Sequence, residues 1–271
     1  MSVIDPFVAW GGVLASVDDA LDADVVALVR NRVAVTLGDG TPGAGDARER
    51  LVEQFVVDVA SMPAEVKSAA FAELGDRAFP FAQVCYVTDM DARLRAAWRQ
   101  LFTRELDMPA VAAPGDLWTS LEAFMRTVAR MDALDPLTTE IVRLRGARAH
   151  QCRLCQSIRS VRAANAGADE TVYDAIDRYE NSALEERHKV ALRLVDAFVW
   201  QPVAYPPELA SQVARSFSYD ETVEIVFDIV RNAANKIAVL FEADAPHVTD
   251  GVEFYDVDAA GDLVYGVTPV Q

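Results

Sequence analysis

The sequence predicts an all-α protein built from two tandem helical units, closed by a short C-terminal β-hairpin. Three observations carry that expectation. Apolar residues recur at three- and four-residue spacing along most of the 271 residues, strand-like alternation is almost absent, and one helical segment returns 113 residues later.

The helical periodicity covers 17–37, 46–60, 89–103, 116–131, 184–199 and 219–240. Start signals stand at Asp135-Pro136 with Glu140 following, at Ser182 three residues before Glu185, and at Ser218 ahead of Asp220 and Glu221. From Val252 to Val267 the pattern changes to alternation around a Gly-Asp turn, the signature of a hairpin.

The repeat sets Asp19–Ala34 over Asp132–Ala147 with eight identities in sixteen positions. Downstream, Arg48–Val59 resembles Glu185–Phe198, and the stretch from Asp89 to Leu94 resembles that from Arg231 to Ile237. The break in helical patterning at Met108–Gly115 divides the chain into units at 1–110 and 111–245, with a tail at 246–271. At this offset Glu140 falls on Ala27, Cys152 on Asp39 and Cys155 on Pro42. The first unit thus carries the scaffold without the chemistry, and its expected role is to pack against the second.

Hydrophobic residues make up 52% of the chain, ample for packed cores, and the formal charge is −17. That charge argues against nucleic acid or an anionic membrane surface as partner, since both need a basic face. Small molecules or other proteins are the expected partners. The N-terminus has an early Asp5 and no basic segment, and no stretch approaches 18 uncharged apolar residues, so a cytoplasmic location is the expectation.

Reactive chemistry is concentrated in Glu140–Cys155. Cys152 and Cys155, three positions apart, share one helix face and form a candidate redox couple. Arg153 and Arg159 flank them, and a helix starting near Gln151 would turn unpaired N–H groups toward Cys152, which favours a thiolate. In one straight helix about 22 Å would separate Glu140 from Cys155, so Glu140 can serve the thiols only if the chain breaks near Gly146–Gln151. With that break Glu140 is a candidate general base or proton relay; the structural alternative is an ion pair with Arg143 or Arg145. His150 offers a proton shuttle near neutral pH, or is simply a polar turn residue. Cys85, in an apolar run, reads as a buried inert thiol. A structural zinc site needs four ligands, and no second Cys-x-x-Cys or His-x-x-x-His is present, so no metal is expected.

The order Glu140, twelve residues, Cys152-x-x-Cys155 and then an alanine-rich helix resembles the alkyl hydroperoxidase D-like branch of the carboxymuconolactone decarboxylase superfamily. Residues 185–198, 217–226 and 232–237 are similar to that family's later stretches. The resemblance covers about 115–241, and a fainter version covers 17–105. It implies helical units of that family, assembly into homo-oligomers, and reduction of hydroperoxides through the cysteine pair with no metal or organic cofactor. It also implies that Cys155 is the peroxidatic thiolate, Cys152 the resolving thiol and Glu140 part of a proton relay, with a dithiol protein as reductant. The family motif places a histidine four residues after the second cysteine, where this chain has Arg159. Arginine can stabilise a thiolate but cannot accept a proton. The leading reading is a thiol-dependent hydroperoxidase or disulfide oxidoreductase. Its alternatives are a cofactor-free, decarboxylase-like acid–base enzyme using Glu140 and His150, and a non-catalytic scaffold.

Overall fold

The protein is mostly helical with one small sheet, in a computed structural model that describes residues 5–38 and 45–270. The first half comprises α1 (Pro6–Ser16), α2 (Ala23–Gly38), α3 (Ala47–Asp58), α4 (Ala64–Leu74) and α5 (Ala78–Phe102). The second comprises α6 (Leu117–Val128), α7 (Pro136–Ala149), α8 (Arg153–Ser157), β1 (Ile158–Ser160), α9 (Val161–Asn165), α10 (Glu170–Ala175), α11 (Glu186–Trp200), α12 (Leu209–Ser216), α13 (Tyr219–Asn232) and α14 (Asn235–Leu240). The tail supplies β2 (Glu253–Val257) and β3 (Leu263–Tyr265).

Local chemistry sets these limits. Asp46 and Glu49 form a reciprocal capping box on α3, and Ser218 and Glu221 do the same on α13. Asp135 accepts the Thr138 N–H at the start of α7, where Pro136 sits in the first turn and gives up no helical hydrogen bond. Three boundaries differ from the periodic reading. The α2 helix begins at Ala23 rather than at 17, and α5 begins at Ala78, eleven residues before 89. The stretch 219–240 is two helices, parted at Ala233–Ala234. Ser182 does not cap α11: its hydroxyl donates to the Tyr179 carbonyl, and the helix starts at Glu186.

The two halves repeat a packing pattern. In the first, α2 lies against α3 and α5; in the second, α7 lies against α11 and α13. The break at 108–115 falls in the irregular connection between α5 and α6. Packing nevertheless crosses that break, because α1 lies against α6 and one continuous core takes in Trp10, Phe55 and Tyr86 with Phe124, Phe198 and Phe227. A buried ionic cluster ties the halves further. Arg93 bonds Asp89 and the carbonyls of Val56, Phe198 and Val199, while Lys236 Nζ donates to Asp89 at 2.7 Å.

The expected hairpin is present: β2 and β3 pair antiparallel, with Tyr255 opposite Tyr265. Gly261 turns it at φ +93°, with the Arg126 backbone where a Cβ would point, so only glycine fits. The hairpin is extended by β1, which runs parallel to β2 and sets Ser160 opposite Tyr255. That pairing lays the tail over the cysteine segment. No helix among the described residues is long and apolar enough to cross a membrane.

Candidate active site

The chain reverses sharply after α7. His150 caps the helix, Gln151 takes a left-handed conformation at φ +53°, and the N–H groups of Gln151 and Cys152 return to the carbonyls of Arg148 and Ala147. This is a Schellman ending with glutamine in the usual glycine position. Cys152 then caps α8, its sulfur accepting the Cys155 N–H at 3.3 Å. Cys152 and Cys155 are joined in a disulfide, with Cα atoms 5.3 Å apart. The segment is pinned from outside by Asp244, whose carboxylate takes the Arg153 N–H and guanidinium and whose carbonyl takes the Leu154 N–H. Burial would raise the Asp244 carboxyl, but these bonds from Arg153 hold it below the usual carboxylate range.

The two sulfurs differ in access. Cys152 is buried at 1% exposure, whereas Cys155 is half-buried and lines an open cleft of about 870 Å³. A smaller cavity of about 100 Å³ adjoins it, lined by Cys155, Arg143, Arg231, Asn235 and Tyr255 among others.

The chain breaks where the sequence requires it, and Glu140 lies beneath this segment, joined to it through the Ser160 N–H and through Arg143. Its oxygens accept from Arg143 Nε at 2.7 Å and Nη2 at 2.8 Å, from the Ser160 N–H at 3.0 Å and from the Tyr255 hydroxyl at 3.1 Å. The ion pair with Arg143, the structural alternative, is therefore present. Arg143 carries the link onward, donating to the carbonyls of Cys155 at 2.7 Å and Ile158 at 2.9 Å. Burial would lower the Arg143 pKa, but the charge of Glu140 carries it above the ordinary arginine value.

His150 is buried and hydrogen-bonds through Nδ1 to Asn235 Oδ1 at 2.8 Å; Asn235 Nδ2 in turn points at Cys155 Sγ, 3.8 Å away. Burial, reinforced by the nearby Lys236 charge, pushes the imidazole down to about 3. The ring is thus neutral at pH 7, and with Asn235 oriented to donate toward sulfur it carries its proton on Nδ1. This differs from the expected shuttle near neutral pH: His150 orients Asn235, and Asn235 meets the sulfur.

Arg159 takes a different place from the one expected. Its guanidinium pairs with Glu170, donates to the Gln156 and Ile158 carbonyls, and lies over the Tyr173 ring at 4.9 Å. Those bonds tie β1 to α10 and do not go to sulfur, because the extended backbone at 158–160 turns the side chain away from the cleft. The cations that share the cleft with Cys155 are Arg231 and, at the rim, Arg126. Arg143 was named in the sequence as a partner for Glu140, whereas Arg231, Asn235 and Tyr255 were not singled out there as site residues. Only the resemblance of 232–237 pointed near them, since α13, α14 and β2 reach the cysteines through long-range packing.

No family model and no solved structure matches the chain. It is 43% identical over 222 residues to the uncharacterized protein Rv2313c of Mycobacterium tuberculosis strain H37Rv, covering 79% of this chain and 78% of the relative. The uncharacterized protein MT2376 of strain CDC 1551 / Oshkosh matches equally. The chain belongs to the family of these mycobacterial proteins. Among its described residues no cluster of three or more His, Cys, Asp or Glu side chains could hold a metal ion. Cys85 is wholly buried, and burial pushes its thiol far up, which sets it apart from Cys155 on the open cleft.

Proposed function

We propose that the protein is a thiol-dependent hydroperoxidase of the alkyl hydroperoxidase D-like kind, with Cys155 as the attacking sulfur and Cys152 as the resolving one. The observation that supports this assignment is their unequal access: one sulfur opens on a large cleft and its bonded partner is sealed beneath it.

The Cys155 thiolate attacks the terminal oxygen of a hydroperoxide. An S–O bond forms as the O–O bond breaks, the alkoxide takes a proton and leaves as alcohol, and Cys155 becomes a sulfenic acid. Cys152 then attacks Cys155 Sγ, the disulfide forms, and the oxygen departs as water. A dithiol partner protein reduces the disulfide by two exchange steps and is itself oxidised. Asn235 stabilises the thiolate by hydrogen bonding, and the Tyr255 hydroxyl connects Glu140 to the cavity beside Cys155, completing a proton relay. The chemistry suits a reducing cytoplasm, and the family resemblance favours a homo-oligomer. The acid–base alternative is disfavoured, because it relies on His150, whose burial pushes its pKa down to about 3 and leaves it a weak base near neutral pH.

Treatment of the reduced protein with tert-butyl hydroperoxide should consume the thiols of Cys152 and Cys155 together, leaving Cys85 as a buried internal control, as read by alkylation and mass. Retention of both thiols would sink the proposal. Tyr255→Phe should slow the oxidation by about a hundredfold, the lower end of what a lost proton-transfer group costs.

A further inference from the structure

The cleft over Cys155 has more structure than an alkyl peroxide needs. Its wall is a face of α6, a face of α14 and the tip of the hairpin, with Trp118, Leu121, Met125, Ile237, Phe241 and Leu263 turned inward. Trp118 and Phe79 at its mouth are each 41% exposed and Leu263 is 38% exposed, so large apolar side chains line a concave, open surface. Such a volume and lining match a site for a small amphipathic molecule.

The charges are unevenly placed. Four charged residues line the cleft: Glu122, Arg126, Arg231 and Asp262. Arg126 is satisfied at the rim, pairing with Asp262 at 2.6 Å and with Glu122 at 4.0 Å. Of these four, Arg231 alone also lines the inner cavity beside Cys155, where the other cation, Arg143, is paired with Glu140. Among the described residues its one hydrogen bond runs from Nε to the Met125 carbonyl at 3.1 Å, and no carboxylate stands within 4 Å of it. An unpaired guanidinium at the inner end of an apolar cleft selects an anion with an apolar tail. The rim carboxylates and the chain's charge of −17 oppose a polyanion, which favours a monoanionic carboxylate over a phosphate ester.

We infer that the cleft binds an acyl-chain carboxylate, its carboxylate on Arg231 and its chain along the α6–α14 wall. Resting on the peroxidase reading, this names the substrate class as hydroperoxides of amphipathic acids.

Binding is measured on the full chain with the Cys152–Cys155 disulfide intact, so that no turnover intervenes. The probes are dodecanoate, dodecanol and inorganic phosphate, each kept below micelle formation where that applies, and the readout is titration calorimetry. Dodecanoate should bind at one site at least tenfold tighter than dodecanol, with phosphate silent. Arg231→Gln should erase that preference while dodecanol still binds, which also shows that the cleft has formed; Ala238→Trp should block both amphiphiles. Equal affinity for the two amphiphiles, tight phosphate binding, an unaltered preference in Arg231→Gln, or no binding because a second copy of the chain covers the cleft would each overturn the inference. Loss of both thiols to tert-butyl hydroperoxide without dodecanoate binding removes the ligand and keeps the peroxidase. Dodecanoate binding without thiol loss does the reverse.

Discussion

Helices α2 and α7 share a sixteen-residue pattern and each packs against two helices of its own half, yet one has a solvent face and the other is covered on nearly every side. Val29 and Val142 both enter the core, and Arg32 and Arg145 both pair with carboxylates on a helix packed alongside, Glu49 and Glu53 on α3 and Asp196 on α11. The divergence is on the other face. Ala27 is exposed where Glu140 is 1% exposed, and Arg30 pairs with Asp18 in solvent where Arg143 is buried between Glu140 and the cysteine segment. In the second half α8, the sheet and the tail cover a face that α2 leaves in water. The polar residues of α7 are therefore costly to bury and are held by a network, whereas their counterparts in α2 are free to drift.

The largest test of that contrast is truncation of the paired arginines. Arg143→Ala should destabilise by about 3–5 kcal/mol, because it strands the Glu140 carboxylate in the interior and releases the Cys155 and Ile158 carbonyls. Arg30→Ala, at an exposed pair, should change stability by less than about 0.5 kcal/mol. Urea unfolding of the two variants decides the matter. Similar losses would mean that burial does not separate the copies.

Buried aspartates extend the comparison to the helices packed behind. On α5, Asp89 is buried but neutralised: burial raises its pKa, and Arg93 and Lys236 outweigh that and hold it below the ordinary value. On α13, Asp228 has a buried oxygen without a hydrogen-bond partner among the described residues, and burial, reinforced by Glu224, pushes it up to about 8. An acid whose folded pKa lies above its unfolded value near 3.8 costs the fold nothing in acid. Its cost accrues as pH rises from about 4 to about 8, where the unfolded chain has released the proton and the native state has not. Asp228→Asn should therefore match the parent near pH 4 and exceed it by about 2–4 kcal/mol at pH 8. Asp89→Asn should destabilise at both, since it leaves two buried cations facing a neutral amide.

What could be read before folding follows the same division. The cysteine pair, Glu140 and the need for a chain break after Gly146 are local facts, fixed by spacing and by helical rise. The hairpin was legible in its alternation, but β1 was not, because three residues carry no period and its partner strand lies about ninety-five positions away. Arg159 stands four residues from Cys155 and still points elsewhere, since β1 replaces the helix that would have carried it back over the pair. Asn235 and Arg231 are brought to the sulfur by the packing of α13 and α14, which no local pattern encodes.

The smallest expected effect lies where the two helices end. At the 113-residue offset Gln151 stands opposite Gly38, the last residue of α2. Gln151 is exposed and occupies the left-handed region at φ +53°, a conformation that costs a residue with a Cβ about 1 kcal/mol and glycine almost nothing. Part of that gain is lost again to the greater freedom of glycine in the unfolded chain. Gln151→Gly should therefore stabilise the protein by about 0.5 kcal/mol, a rise in Tm of about 1–2 °C by calorimetry. A fall in Tm would mean that the glutamine side chain contributes more at this turn than its strain removes, and that the second copy changed its helix ending for the sake of the cysteine segment that follows.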